Sequence, residues 1–458
     1  MLGIPTVVLT RQEFVGVVKN AVSGIGLAPD IAMVTFPTAN FLPSADLTPV
    51  EARKSEFYDG LTKWTSTRVR AGSGRMLSVE GATYEDALNK ANELLIANLW
   101  GDGLPLWPAT QERVNWIMRG AALPRAHVLG KFPPRGAIVT VESCAIALAM
   151  AGGRPEYLPV LIAAVEAFLE PSVMGDLLQA TSGSPFPVVI VSGPIAKKIR
   201  LNSGFGLLGP DPQHPAGASI GRALRLMQQN LGGALPATGT MAVFGQMRFT
   251  NAVFAEDEDG LPEGWELHTT ERHGFKRGTN CVSLAISNGA ANIFRRGAKK
   301  ETKEEDALQG LHRVAQYLRV PDVHYIYGYD EGTPGIVVLT SVVAADLASL
   351  GWTKNAVREF LFEHSKVPMA DLRAAGCIAW MDIASTEVAR ASMQLDPWPI
   401  AAKASNIGLV VAGGGHSSHA LWLQGYCPSV TGREIKLPPA FDMLVAEADG
   451  ARAAATRA

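Results

Sequence analysis

The stretch Val188-Val189-Ile190-Val191-Ser192-Gly193-Pro194 decides the fold, because a short and wholly apolar run is followed directly by turn-forming residues. Such a run is typical of a buried strand that ends in a loop. The pattern recurs at Gly335-Ile336-Val337-Val338-Leu339-Thr340 and at Ile407-Gly408-Leu409-Val410-Val411. Apolar helical patterns lie between the runs, among them Val141 to Met150. The sequence therefore predicts an α/β protein of several strand-loop-helix units, with mostly parallel sheets and more than one domain.

Length and composition set broad limits on function. The chain has 458 residues, enough for about two to four domains. Its 41 Lys and Arg residues nearly balance its 43 Asp and Glu residues, so no overall field favours nucleic acid or an anionic membrane. No predominantly apolar run approaches the roughly 20 residues of a membrane span, and the first ten residues lack the basic start of a secretory signal. We therefore expect a cytoplasmic protein without nucleic-acid or membrane partners.

The patterns divide the chain into five segments. Residues 1–75 form a partial α/β unit, residues 76–130 a helical connector and residues 131–330 a central α/β domain. A C-terminal α/β domain is expected over residues 331–445 and a frayed tail over residues 446–458. The partial unit has only two predicted strands, and a two-stranded fragment is unstable alone. We expect either the rest of the chain or a partner polypeptide to complete its sheet.

The cysteines are far apart and form no CxxC pair: Cys144, Cys281, Cys377 and Cys427. Four thiols are therefore expected, without a disulfide framework or a structural zinc site. Cys144 and Glu142 fall in the first turn of a predicted helix. The positive end of the helix lowers the pKa of a thiol, whereas the nearby carboxylate raises it. A catalytic pair and a buried core cysteine both stay open, and the second is the commoner case.

In open α/β sheets ligands bind beyond the carboxyl ends of the strands. Polar residues or glycines follow the predicted strands at these positions. They are Thr10, Ser192, Ser341 and the Gly414-Gly415 pair. If these segments share one edge of a sheet, they form a binding site for a small-molecule substrate. The alternative is that they only form turns.

The densest polar cluster is Gly413-Gly414-Gly415-His416-Ser417-Ser418-His419. Three glycines let the backbone approach a ligand, and His416 and His419 can share one face. The two histidines are candidates for acid–base catalysis or ligand hydrogen bonding. They are also candidate ligands of a divalent metal, although no third ligand lies nearby in the sequence. A structural turn is the third alternative.

A second loop has the composition of an anion-binding site. Asn202 and Ser203 open a stretch rich in glycine and proline, and a helix is predicted to begin after Ser219. Arg222 lies near that predicted start and is a candidate for binding a carboxylate or phosphate; the alternative is a solvated or interface arginine. The common nucleotide-binding, zinc-protease and hydrolase motifs are absent from the sequence.

Several phrases are similar to a mostly uncharacterised bacterial family that is named for a selenocysteine- or cysteine-Gly-Ser-Cys motif. They are Gly-Ile-Pro-Thr-Val-Val-Leu-Thr at residues 3–10, Trp-Gly-Asp-Gly-Leu-Pro at 100–105, Thr-Val-Glu at 140–142, Met-Ala-Gly-Gly-Arg-Pro-Glu-Tyr at 150–157 and Ile-Gly-Arg at 220–222. In that family the motif precedes the Gly-Ile-Pro-Thr strand, whereas this chain starts at that strand and lacks the motif. The resemblance therefore implies a split protein whose motif lies on a second, small Cys-bearing subunit.

Three functions follow from these observations. The leading hypothesis is the large subunit of a hetero-oligomeric enzyme that acts on a small anionic molecule by thiol- or metal-assisted chemistry, as a lyase, hydrolase or oxidoreductase. The first alternative is a self-sufficient metal-dependent lyase or hydrolase that uses His416 and His419. The second is a non-enzymatic small-molecule binding or scaffold subunit.

Overall fold

The computed structural model describes residues 5–24, 28, 30–42, 44–64, 76–245, 248, 250–294, 302–319, 332–377, 386–416 and 419–455. Its strands are β1 Val8–Arg11, β2 Met33–Phe36, β3 Val128–Phe132, β4 Ala137–Thr140, β5 Phe186–Ser192, β6 Ala252–Ala255, β7 Cys281–Phe294, β8 Gly335–Leu339, β9 Gly408–Val411, β10 His419–Gly425 and β11 Thr431–Glu434.

The α-helices of the described residues, numbered along the chain, are α1 Val15–Gly24, α2 Thr48–Ala52, α3 Lys54–Thr62, α4 Tyr84–Ala97, α5 Gln111–Met118, α6 Val141–Met150, α7 Leu158–Phe168, α8 Gly175–Ala180, α9 Ile195–Lys198, α10 Ala216–Asn230, α11 His268–His273, α12 Lys303–Leu318, α13 Ser341–Ser349, α14 Lys354–His364, α15 Met369–Ala374, α16 Glu387–Ser392 and α17 Phe441–Ala455. Short 3₁₀ helices occur at Gln12–Phe14, Thr38–Phe41, Pro155–Tyr157, Pro171–Val173 and Ala404–Asn406.

One curled, mixed sheet of seven strands forms the centre of the fold. Its order is β6-β5-β7-β10-β8-β9, and β11 pairs with the beginning of β7. In this sheet β5–β6 and β8–β9 are parallel, whereas β7 and β10 pair antiparallel with all their neighbours. The predicted α/β class is confirmed. The predicted mostly parallel sheets are not supported, because two antiparallel strands lie between the two parallel pairs.

The long strand β7 joins what the sequence suggested were two domains. Its first part, Cys281 to Ser287, pairs with β5, and its second part, Ser287 to Phe294, pairs with β10. Strands from both sides of the predicted boundary at 330/331 thus belong to one sheet, and the multi-domain prediction is not supported. Sequence analysis missed β7 because Ser287, Asn288 and Gly289 resemble a turn. The Ser287 hydroxyl instead donates to the Gln424 carbonyl at 2.7 Å beside a register shift.

The sheet consists of two halves with the same strand arrangement. The first half is β6-β5-β7 and the second half is β9-β8-β10; each contains a parallel pair and then an antiparallel strand. The register shows the equivalence, because Val191 lies beside Ala255 and Val282 in the first half, and Leu339 lies beside Val411 and Ala420 in the second. The loops that follow the two parallel pairs therefore occupy equivalent places.

Three hydrophobic clusters hold the sheet and helices together. Helices α6, α7 and α10 cover the outer face of the first half, and α12, α13 and α14 cover that of the second. Between the halves lies an inner cluster of Phe186, Val188, Ile190, Ala252, Phe254, Ala285, Ile336, Val338, Val410, Ala412 and Leu423. The curl of the sheet brings its two inner faces together around this inner cluster.

The N-terminal unit, β1, α1 and β2, is separate from the main sheet. Strands β1 and β2 pair in parallel, and among the described residues they pair only with each other. The side-chain amide of Asn20 in α1 donates to the Gly233 carbonyl at 2.9 Å, which fixes the unit to the rest of the chain. Leu9 remains 47% exposed. The first two residues of the strand predicted over residues 3–10 lie outside the described residues.

Some helix boundaries differ from the predictions. Helix α10 begins at Ala216, so Ser219 lies in its first turn and does not cap it. The chain between Thr48 and Thr62 forms two helices, α2 and α3, which are divided at Arg53. The C-terminal tail, predicted to fray, continues as α17 to Ala455 because its alanines favour helix and its first residues pack on the core. In the part of the chain that the structure describes, no single helix has the length and apolar character to cross a membrane; one bent pair, Pro155–Phe168 with Pro171–Ala180, meets the criterion jointly.

Candidate functional site

A cavity of about 530 Å³ opens beyond the carboxyl ends of β8 and β9, next to the inner cluster. One wall is the loop of residues 205–210, and the other walls come from the second half of the sheet and from Asn292 of β7. The strand ends contribute Thr340 and Ala412, and β10 contributes His419 to Leu421. The volume is within the range of small-molecule sites.

Hydrogen bonds join the loops around this cavity. The Thr340 hydroxyl donates to the His416 carbonyl at 2.6 Å and accepts from the Val343 amide at the start of α13. The Gly413 amide donates to the Ser203 carbonyl at 2.8 Å, and the Ser341 hydroxyl donates to the Gly414 carbonyl at 3.4 Å. The predicted Ser203, Ser341 and glycine segments are thus brought together.

The glycines make this close approach possible. Gly413 and Gly414 have φ values of +101° and +84°, in the left-handed region that favours glycine. A Cβ atom on Gly414 would lie 2.9 Å from the Phe205 amide nitrogen. Asn202 shapes the facing loop, since its side-chain amide donates to the Phe205 carbonyl at 2.9 Å and its side-chain oxygen accepts from Gly204 at 2.8 Å. Asn202 therefore orders the cavity wall.

The imidazoles of His416 and His419 meet at the mouth of the cavity. Their Nδ1 atoms are 3.0 Å apart, and the rings cross nearly at right angles. The His419 ring also stacks on Phe294, with centroids 5.8 Å apart. At this separation one Nδ1 donates its proton and the other accepts it. The pair can therefore pass one proton between its rings and a bound molecule.

The same pair meets only part of what a metal site needs. Two nitrogen ligands of one zinc ion, each about 2.0–2.1 Å from the metal in tetrahedral geometry, lie about 3.3 Å apart. The Nδ1 separation of 3.0 Å is close to this value. However, the described residues contain no group of three His, Cys, Asp or Glu side chains that could hold a metal ion. The residues present do not fit a complete metal site.

Arg222, predicted to bind an anion, has a carboxylate partner within the chain. Its guanidinium contacts both carboxylate oxygens of Asp102, at 2.8 and 2.9 Å, and donates to the Leu104 and Pro105 carbonyls. Burial alone would raise the pKa of Asp102, but the hydrogen bond and charge of Arg222 bring it below its usual value. Because α10 starts at Ala216, Arg222 lies beyond the first turn and fixes the preceding connector instead of facing the cavity.

Glu142 and Cys144 lie at the start of α6, as predicted, but do not line the cavity. The Cys144 side chain is wholly buried in the outer cluster of the first half, and its burial and the Glu166 charge raise the pKa of the thiol far above its usual value. Glu142 forms a half-exposed ion pair with Arg125 at 2.5 Å. This placement favours the core interpretation of Cys144. The four cysteines are thiols, as predicted, and all four are buried.

Two further predicted residues lie elsewhere. Thr10 is buried in the N-terminal unit, which contributes no described residue to the cavity. Ser192 ends β5 in the first half of the sheet, and its buried hydroxyl has no hydrogen-bond partner among the described residues. The four predicted strand ends therefore do not form one site.

Sequence analysis missed a buried charge network, formed by Glu256, Lys354, Glu271 and Arg358. Glu256 follows β6 and accepts from the His268 amide at 2.9 Å, with the Lys354 ammonium 3.9 Å away. Lys354 and Arg358 contact Glu271 at 2.9 and 2.5 Å. Burial raises the pKa of Glu256 to about 7, although Lys354 opposes the shift. An acidic residue directly after the apolar run Ala252–Ala255 was the available signal.

The charge network is connected to the strand ends beside the cavity. The Asp257 amide, next to Glu256, donates to the Val411 carbonyl at the end of β9 at 2.8 Å. The Asp257 side chain accepts from the Gly260 amide, and Gly260 lies against Ser341. The carboxyl ends of β6, β8 and β9 therefore meet in this region.

Comparison with family models, with curated proteins and with solved structures finds no match to this chain. The resemblance to the Cys-Gly-Ser-Cys family stays a prediction.

Proposed function

We propose that this chain is an enzyme subunit whose His416 and His419 exchange protons with a small organic molecule bound in the cavity. The supporting observation is the 3.0 Å contact between the two Nδ1 atoms at the mouth of a cavity of about 530 Å³. Histidine is the side chain best suited to proton transfer near neutral pH. A pair that shares one proton can donate or accept it as a bound molecule requires.

The surroundings hold the two rings in place. The Thr340 hydroxyl fixes the His416 carbonyl, and the Phe294 ring supports the face of His419. Acid–base catalysis depends on such positioning, because the donor must reach the reacting atom at hydrogen-bond distance.

The substrate is proposed to carry a negatively charged group. The described cavity residues include no Lys or Arg, so the attraction would come from the imidazole pair, the glycine amides and the start of α13. Backbone amides at a helix start bind carboxylates and phosphates well. This arrangement takes over the anion-binding role that the sequence suggested for Arg222.

The test is catalysed exchange of carbon-bound protons in D₂O. Wild-type protein would be mixed with pyruvate, 2-oxobutanoate and 2-oxohexanoate, and loss of the proton signal at C3 would be followed by NMR. We expect exchange above the buffer rate, and a loss of about 100-fold in His416→Ala and in His419→Ala. The matched control is His127→Asn, an exposed histidine whose backbone forms hydrogen bonds with Pro124 and Val141. Equal exchange in all four proteins, or none in the wild type, would contradict acid–base catalysis.

We also propose that the N-terminal unit binds a second, small subunit that carries a reactive cysteine. Parallel sheets are normally covered on both faces and two-stranded sheets are marginally stable, yet β1 and β2 pair only with each other among the described residues and Leu9 is exposed. The chain's own cysteines are buried, so thiol chemistry would need a cysteine from outside. The partner would add a strand beside β1.

Native mass spectrometry of the chain, co-expressed with a small α/β protein that contains Cys-Gly-Ser-Cys, tests this proposal. A stable hetero-oligomer is expected, and Leu9→Asp should dissociate it, whereas Leu177→Asp on the exposed face of α8 should not. If the chain is fully active alone and binds no such protein, the split-enzyme proposal fails.

A further inference from the structure

The cavity has a polar mouth and an apolar interior. The polar side chains of Asn292 and His416 are exposed at the mouth, and the Phe205 ring is exposed beside them. Leu208 and Leu421 are partly buried further in, and both pack against the inner cluster. Polarity therefore falls along the path from solvent to the space between the two halves of the sheet.

The register of the sheet shows how this gradient arises. Asn292 of β7, Leu421 of β10 and Val338 of β8 lie opposite one another across three neighbouring strands. Asn292 is exposed, Leu421 is half-buried and Val338 is 2% exposed. This row forms the floor of the cavity and leads from its polar lip into the inner cluster.

The described lining also lacks permanently charged side chains. It contains no Asp, Glu, Lys or Arg side chain. A charged group in the interior would lose its hydration without gaining an ionic partner, which is strongly unfavourable. A charged group at the mouth keeps part of its hydration and lies beside the imidazoles.

We infer that the ligand is an amphipathic monoanion, a short aliphatic or aromatic monocarboxylate whose carboxylate lies at the His416–His419 pair and whose apolar body enters between the halves. This inference rests on the proposed function for the place of the charged end. It adds the substrate class and the orientation. The apolar wall of Leu208, Val338 and Leu421 determines the specificity for the body of the molecule.

Titration calorimetry with straight-chain monocarboxylates tests the inference on the full chain. Pentanoate, hexanoate and heptanoate should bind with Kd values that fall about fourfold for each added methylene, which corresponds to about 0.8 kcal/mol. Adipate, which has the length of hexanoate and a second carboxylate, should bind at least about tenfold more weakly.

Two wall variants and one control sharpen the result. Leu421→Asn should remove most of the dependence on chain length, and Leu208→Asn, on the loop wall, serves the same purpose if the first variant does not fold. Leu177→Asn, exposed on α8 and outside the cavity, should bind like the wild type. Equal affinity for the three chain lengths, tight binding of adipate, or unchanged discrimination in both folded wall variants would overturn the inference.

The outcome is separable from that of the proposed function. If hexanoate binds with the expected dependence while His416→Ala keeps full exchange activity, the substrate class stands and acid–base catalysis fails. If pentanoate, hexanoate and heptanoate bind with equal affinity while exchange of pyruvate depends on His416, the inferred apolar body and orientation fail and the proposed function stands.

Discussion

The two halves of the sheet share one strand arrangement but fill the space beyond their strand ends in opposite ways. In the first half, buried polar groups close that space: Glu256 is 3% exposed and His268 is wholly buried. In the second half, glycines leave a cavity with two histidines at its mouth. The backbone scaffold is common to both, so the difference in chemistry comes from the few residues that follow each strand.

The comparison holds residue by residue. The equivalent positions are Ser192 and Thr340, Glu256 and Ala412, and Cys281 and His419. Even the hydrogen bond that ends each parallel pair recurs: the Glu256 amide donates to Val191 at 3.1 Å, and the Ala412 amide donates to Leu339 at 2.9 Å. The buried thiol of Cys281 in the first half thus occupies the position that His419, a candidate catalytic residue, has in the second half.

We call the filled space beyond the strand ends of the first half the closed end, and the cavity of the second half the open end. The largest expected effect on stability comes from breaking the buried charge network at the closed end. Lys354→Met removes the cation between Glu256 and Glu271, and its side chain is 4% exposed. Because an uncompensated buried carboxylate remains, we expect the free energy of unfolding at pH 8 to fall by about 3–5 kcal/mol in urea titrations. Adding Glu256→Gln should restore part of the loss.

Lys366→Met is the matched control for this loss. Its partner Glu363 is 58% exposed, so the change should cost less than about 1 kcal/mol. A comparable loss in the two lysine variants would show that the closed end has no special electrostatic role.

The second expected effect is a dependence of the unfolding free energy on pH that is caused by Glu256 at the closed end. Burial raises the pKa of Glu256 from 4.5 to about 7. The folded state therefore binds this proton more tightly than the unfolded state, and the stabilisation is full below pH 4.5 and disappears as the pH rises through 7. The difference in unfolding free energy between wild type and Glu256→Gln should fall by about 3 kcal/mol across that interval.

Taking the difference between the two proteins is necessary because nearby histidines act in the opposite sense. Burial lowers the pKa of His268 well below 6.5 and that of His273 to about 4, so both remove stability as the pH falls. Their contributions are common to both proteins. A difference that stays constant from pH 4.5 to 7.5 would contradict the raised pKa of Glu256.

The same contrast explains what the sequence could predict. Helix α6 was predicted to the residue because a helix cap and apolar periodicity are local signals. The histidine pair was found because its members are three residues apart. Glu256 and Lys354, like Arg222 and Asp102, are far apart in the chain, and no local pattern shows that a charged residue has a distant partner. Strand β7 was missed for a related reason, since the pairing that holds Ser287 to Gly289 in a strand is non-local.

A third, smaller effect concerns the glycines that distinguish the open end. Gly414→Ala places a Cβ in the left-handed region and 2.9 Å from the Phe205 amide nitrogen, so we expect a loss of about 2 kcal/mol in unfolding free energy. Gly415→Ala is the matched control, because the nearest atom to its Cβ would be a Val342 side-chain carbon at 3.7 Å. Equal stability of the two variants, measured by urea unfolding, would show that the glycine run is not required for the cavity wall.

The smallest effect compares the hydroxyl groups at the two equivalent strand ends. Thr340 Oγ1 donates to the His416 carbonyl and accepts from the Val343 amide, so Thr340→Val loses a cap and a hydrogen bond and should cost about 1–2 kcal/mol. Ser192 Oγ is buried without a partner in the structure, so Ser192→Ala removes a polar group that gains nothing from folding and should be neutral or slightly stabilising. Thr340→Ser keeps the hydroxyl and should recover most of the loss. Urea unfolding of the three variants measures the contrast. A loss of stability in Ser192→Ala as large as that in Thr340→Val would contradict this prediction. It would mean that the Ser192 hydroxyl binds a molecule other than this chain, and the closed end would then be a candidate for a second binding site.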